Sequence, residues 1–173
     1  MTSIWKIFGI VLLIGLNPVN NRVDKLIQKE VQKTFEIEHF ESIPVVVSDD
    51  VKLETPVNVN GNNYFTIENN SEVIGYYYLG QGFGKADYFD FIVIFNQDLI
   101  VSKVKVLVYR EDHGGEIGSK RWLRQFEGKA PGQELKYNDV IAISGATLSA
   151  RSITEEMNKA MKTMAILKEN NQI

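Results

Sequence analysis

Four runs dense in Val, Ile, Tyr and Phe fill the middle of the chain: Tyr64–Ile67, Val73–Leu79, Tyr88–Phe95 and Leu99–Tyr109. β-Branched and aromatic side chains suit a pleated, half-buried surface, and turn residues separate the runs, so the pattern predicts strands. Asn96-Gln97-Asp98 is placed to close a hairpin between the last two, and Val104, Val106 and Val108 define a buried face of the final strand. A sheet needs cover, and the flanking segments supply it. Val23, Leu26, Ile27, Val31 and Phe35 recur at three- and four-residue steps from Arg22 to Phe35, the spacing of an amphipathic helix. From Ser149 to Lys168, Ile153, Met157, Ala160, Met161 and Met164 form a second apolar stripe, begun by Ser149 or by a Ser152–Glu155 capping box. Pro44 and Asp49-Asp50 break the pattern, so 40–62 reads as strands and turns, with a turn at Asn60-Gly61-Asn62-Asn63. Trp122, Leu123 and Phe126 predict a short helix before Gly128, and Pro131-Gly132 a turn. The expected fold is α+β: an antiparallel sheet packed with helices in a single domain, ending in a C-terminal amphipathic helix. At 173 residues, 44% of them hydrophobic, the chain can bury a real core.

Several function classes fall away at this level. A net charge of −3 without a basic stripe disfavours nucleic acid. The absence of cysteine removes disulfides, thiolate metal sites and a thiol nucleophile. His39 and His113 are the only histidines and lie far apart in sequence, so an imidazole metal centre or a Ser-His-Asp triad has little to be built from. Glu111, Asp112 and Glu116 are clustered carboxylates, but one loop does not give the opposed geometry of acid–base hydrolysis. At the N-terminus, Lys6 precedes the apolar run Ile7–Leu16 and then Asn17-Pro18. The run is shorter than the roughly 20 residues of a membrane span and has the length of a signal-peptide core, so 1–19 is read as a signal peptide or N-terminal anchor.

Two stretches carry candidate chemistry. In Ser144-Gly145-Ala146-Thr147 an apolar, strand-like run (Val140–Ile143) gives way to the last helix. A hydroxyl there meets free backbone N–H groups and the positive end of the helix dipole, where phosphate is well held; a plain helix cap has the same composition. The other stretch, Tyr109 to Gly118 continuing to Lys129, leaves a strand into a charged, Gly-rich loop. Gly75, Gly80, Gly82 and Gly84 lack the following helix that a dinucleotide fingerprint requires. They read instead as a flexible hairpin connection open to a flat group or another loop, with Tyr76, Tyr77, Tyr78, Phe83, Tyr88 and Phe89 either flanking a planar ring or packing on alternate strand faces.

Taken together, Glu111–Lys129 and Asp139–Arg151 resemble the FMN-binding domain family, whose members include subunits of sodium-pumping and electron-bifurcating membrane reductases, domains of nitrous-oxide-reduction regulators and small exported flavoproteins. The resemblance covers roughly 70–173, strongest around Thr147, and sets an FMN-binding domain at 66–173 with an N-terminal helix and strand region of open role at 20–65. It implies FMN joined through its phosphate to Thr147 by an exported, Mg-dependent FMN transferase that consumes FAD. It further implies that Ser144, Gly145, Ala146, Leu148 and Ser149 shape the phosphate site, and that Glu111, Gly114 and Gly115 lie near the ring. The implied role is extracytoplasmic or membrane-associated electron transfer with redox partner proteins, as a carrier rather than a self-contained enzyme. Two positions depart from the family pattern: Ile141 stands where an acidic residue is usual, and Ala150 where a hydroxyl residue is usual. Ile141 favours the alternative of a cofactor-free relative acting as an exported accessory domain.

Overall fold

A computed structural model of the chain describes residues 18–173; the targeting segment read at 1–19 falls almost wholly outside them. The elements in order are α1 (Pro18–Phe35), β1 (Glu41–Pro44), α2 (Asp49–Glu54), β2 (Tyr64–Asn69), β3 (Glu72–Phe83), β4 (Tyr88–Asn96), β5 (Val101–Val108), α3 (Lys120–Leu123) and α4 (Thr147–Glu169). The strands form one five-stranded sheet in chain order, antiparallel throughout. Short turns give the order β2 to β5, while a longer connection carrying α2 joins β1 to β2. Asn70 and Ser71 have φ of 51° and 65°, the left-handed pair that closes a two-residue hairpin between β2 and β3. At the expected β4–β5 hairpin, Leu99 N donates to Asn96 O at 3.0 Å.

Strand alternation divides the sheet's side chains between two covers. On one face Tyr64, Tyr78, Phe89, Phe91, Val93, Phe95, Val101 and Val104 pack with Ile153, Met157, Ala160, Met161, Met164 and Leu167 of α4. On the other, Ile67, Tyr77, Ile92 and Ile94 pack with Ile27 and Val31 of α1. Both periodic stripes therefore face the sheet, and the α+β expectation holds. The region 20–65 acquires a structural role: α1 covers a face, and β1 and β2 extend the sheet that β3–β5 share. No helix among the described residues is long and apolar enough to cross a membrane.

Five local readings are corrected. Asp49 and Asp50 open α2 rather than break structure, because carboxylates in a first turn favour the positive end of a helix. In β5, Val104 and Val106 join the core on the sheet face that α4 covers, but a register shift after Asp90 sets Val108 opposite Asp90 on the other face. Gly75, Gly80 and Gly82 lie inside β3, not in a hairpin connection. Their bare faces receive the protein's own rings: a Cβ on Gly80 would come 2.6 Å from Phe91, and one on Gly82 would collide with Phe89. Val140–Ile143 pairs with no strand. Finally, α4 begins at Thr147 with Ala146 as its N-cap, so neither Ser149 nor Ser152 caps it.

Burial raises the phenol pKa of Tyr77 from 10.0 to about 12, and pushes those of Tyr64 and Tyr78 up as well. A folded-state value above the unfolded one stabilises the fold below pH 10 and loses that contribution as pH rises through the folded value. Alkaline absorbance titration should therefore show these three phenols ionising late, together with unfolding. Ionisation of all seven tyrosines near pH 10 in the folded protein would contradict this packing.

Candidate functional site

The antiparallel order brings the C-terminal ends of β3 and β5, the start of β4 and the start of α4 to one end of the sheet. The main chain of Phe83, at the end of β3, donates to Ser152 Oγ at 2.8 Å, tying the hairpin to the second turn of α4. Ser152 thus works as a tie.

Glu111 follows β5 and reaches back to the same hairpin. Its Oε1 accepts from Ala86 N at 2.7 Å and Asp87 N at 3.0 Å. Gly84 makes room for the carboxylate, since a Cβ there would collide with it. The Ala86 N–H first, then that of Asp87, hold the Glu111 carboxyl below the usual carboxylate range. With a folded-state pKa lowered, the brace is complete above the ordinary carboxylate pKa and is lost as pH falls through the folded value. The exchange protection of the Ala86 and Asp87 amides, taken against their intrinsic rates, should fall in that acid range. Glu111→Gln, which keeps an acceptor but cannot titrate, should abolish the pH dependence; an unchanged profile would refute the brace.

The loop after Glu111 is held by Tyr109, whose hydroxyl donates to His113 O at 2.8 Å. Gly114 has φ of 83°, and a Cβ there would come 2.7 Å from Tyr109 Oη, 3.4 Å from Gly145 O and 3.5 Å from Ala146 Cβ. Only glycine suits that position. That position brings together the two stretches singled out in the sequence, because Gly114 lies beside Gly145-Ala146, where a side chain would meet them. Gly115 is exposed and opens a single 3₁₀ turn to Gly118, which the buried Ile117 anchors.

The segment before α4 lacks a ladder because side chains satisfy its backbone: Trp122 Nε1 donates to Ile141 O at 2.6 Å and Ile141 N donates to Gln125 Oε1 at 2.8 Å. Ser144-Gly145 then turns, with Ala146 N donating to Ile143 O at 3.3 Å. Gly145 has φ of 80° and open space where a Cβ would stand, so a ligand can approach its backbone. Thr147 is exposed at the first position of a 23-residue helix whose N-cap makes no side-chain bond and whose first turn holds no acid. The first helical bond runs from Ala150 N to Ala146 O at 2.9 Å, so the N–H groups of Thr147, Leu148 and Ser149 project from the helix end. Ser144 is exposed beside them, and Leu148 is 56% exposed. Ser149 and Ala146 are buried; Ser149 therefore offers its N–H rather than its hydroxyl. A free helix terminus with an adjacent hydroxyl and an unobstructed glycine fits a phosphate group.

Apolar side chains stand exposed at this end of the sheet. Phe83 (45%) and Tyr88 (53%) meet edge to face at 4.8 Å across the last rung of the hairpin, and Ile141 is 66% exposed. Of the predicted site residues, Gly114, Gly145, Ala146 and Thr147 come together, while Glu111 is committed to the hairpin. Sequence reasoning included Tyr109, Trp122 and Gln125 in its candidate stretch but gave them no individual site role, and treated Ser152 only as a helix signal, since their roles are tertiary bonds without local pattern. No cluster of His, Asp and Glu among the described residues is arranged to hold a metal ion.

Residues 84–162 match the family described as the FMN-binding domain. The match runs from the β3–β4 hairpin into α4 and includes every site residue named above except Phe83. No curated protein matches the chain.

Proposed function

We propose that the chain, whose residues 84–162 match the FMN-binding domain family, is a flavin-binding protein that holds FMN joined through phosphate to the Thr147 hydroxyl. The observation that carries this reading is the exposed Thr147 side chain at the uncapped N-terminus of α4, beside the open backbone of Gly145. In the attachment step Thr147 Oγ bonds to the FMN phosphorus of FAD. The pyrophosphate P–O bond breaks, AMP leaves with that bond's electrons, and the hydroxyl proton passes to a base of a Mg-dependent FMN transferase. The Thr147, Leu148 and Ser149 N–H groups and the helix dipole would hold the remaining phosphate charge. Ser144 adds a hydroxyl donor, and Gly145 and Ala146 allow close approach. Leu148 and the Gly114-Gly115 loop would border the ring, and Glu111 would fix the hairpin beside it. Flavin supplies one- and two-electron transfer, and the protein positions and tunes it.

The apolar run at 7–16 supports a place outside the cytoplasm or at its membrane, where a phosphodiester tether prevents loss of the cofactor by dilution. The chain then serves as an electron carrier between redox partner proteins. Protein made through its native export route should show flavin absorbance bands that stay with the polypeptide after denaturation. Ile141, at the place of a usual acid, favours the second reading, a cofactor-free accessory domain, for which the same scan is featureless.

A further inference from the structure

A closed ring of hydrogen bonds grips Ile141 by its backbone. Trp122 Nε1 donates to Ile141 O at 2.6 Å, Ile141 N donates to Gln125 Oε1 at 2.8 Å, and Gln125 Nε2 donates to Trp122 O at 2.9 Å. We propose that Trp122 and Gln125 are positioning residues that hold 141–147 as a preformed peptide, presenting Thr147 for flavin attachment; this rests on the attachment reading above.

The grip is rigid at its base. Trp122 is buried, stacks edge to face on Phe126 at 5.2 Å, and sits in α3, whose N-cap Ser119 accepts from Trp122 N through its side chain. The Gln125 amide is fixed at both of its atoms, so it cannot rotate away without breaking a bond. At the other end of the segment, the Phe83–Ser152 bond fixes the start of α4, and Gly114 lies beside Gly145-Ala146. Residues 141–147 therefore span two anchored points. The Ile141 N–H and C=O are taken by Gln125 and Trp122, while the side chains of Ile141, Ala142, Ser144, Thr147 and Leu148 are all exposed. A surface segment outside any sheet gains little from such restraint unless something must read it. Ordering it in advance removes the backbone entropy that a modifying enzyme would otherwise have to overcome.

The test follows transfer of FMN from FAD to the full chain by a Mg-dependent FMN transferase, with the chain concentration varied. Trp122→Phe keeps the ring and loses the donor; Gln125→Met keeps the length and loses both bonds. Each should raise KM for the chain about five- to tenfold, the effect of roughly one net hydrogen bond, with kcat nearly unchanged. Gln125→Glu retains the acceptor for Ile141 N–H and should recover most of the loss. Independently of the transferase, the Ile141 amide of the unmodified wild type should be protected from exchange, and Gln125→Met should remove that protection while α4 stays protected. Folded variants labelled with wild-type KM, or an unprotected Ile141 amide in the wild type, would overturn the inference and leave the attachment reading standing. A wild-type chain that accepts no flavin would overturn both. If Trp122→Phe fails to fold, the two Gln125 variants and the exchange measurement decide.

Discussion

Thr147→Ala is expected to leave no flavin on the polypeptide after denaturation, a complete loss rather than a graded one. The phosphoester requires a side-chain oxygen, and alanine has none. Exposed Ser144 does not substitute, because it lies in the turn before the helix, away from the first helical position. The fold should be indifferent to the change. Thr147 is exposed, it makes no cap bond, and alanine is the best helix former, so stability should stay within about 0.5 kcal/mol. Gel fluorescence of the denatured protein reads the covalent flavin, and helical circular dichroism reads the fold. A variant that stays yellow once denatured would place the bond elsewhere. A variant that unfolds would show that Thr147 serves the helix.

Phe91→Ala should cost about 3–5 kcal/mol, the usual range for emptying a large aromatic site in a core. Phe91 is fully buried at the centre of β4. Its ring lies edge-on to Tyr78 at 6.1 Å and tilted to Phe89 at 6.2 Å, over the bare face of Gly80. Because its neighbours are strand residues held by ladders on both sides, they cannot collapse into the space. Against a total stability of roughly 5–15 kcal/mol, the loss leaves the protein marginal or unfolded. Urea denaturation monitored by circular dichroism measures it. A loss below about 1.5 kcal/mol, the size seen for tolerated hydrophobic swaps, would contradict this packing around Gly80.

The contrast between these positions shows what local sequence carries. Val31 and Ile27 at helical spacing, and Ile92 and Ile94 in alternation, announce their faces because period and burial are the same physical fact. The strand runs, the turns at Asn60-Gly61 and Asn96–Asp98, and the helix carrying the Met157–Met164 stripe were legible for that reason. Of the site, Gly145 and Thr147 were legible because turn chemistry and a helix start are local. What the sequence hid depends on distant partners. Val140–Ile143 has strand composition, yet its hydrogen bonds go to Trp122 and Gln125. Ser152 has the spacing of a cap, yet its hydroxyl serves Phe83. Gly80 and Gly82 resemble a loop, yet they admit rings from β4. Val108 fits an alternating face until the bulge beside Asp90 turns it over. Each error came from a tertiary bond or register shift overriding a local preference.

The attachment itself is tested most directly by the intact mass of the chain co-expressed with a competent FMN transferase, set beside Thr147→Ala made the same way. The expected wild-type mass exceeds its polypeptide by one FMN less one water, with fragmentation placing the addition on Thr147 and none on the variant. A wild-type mass equal to the bare polypeptide, in a host shown to flavinylate another substrate, would contradict it.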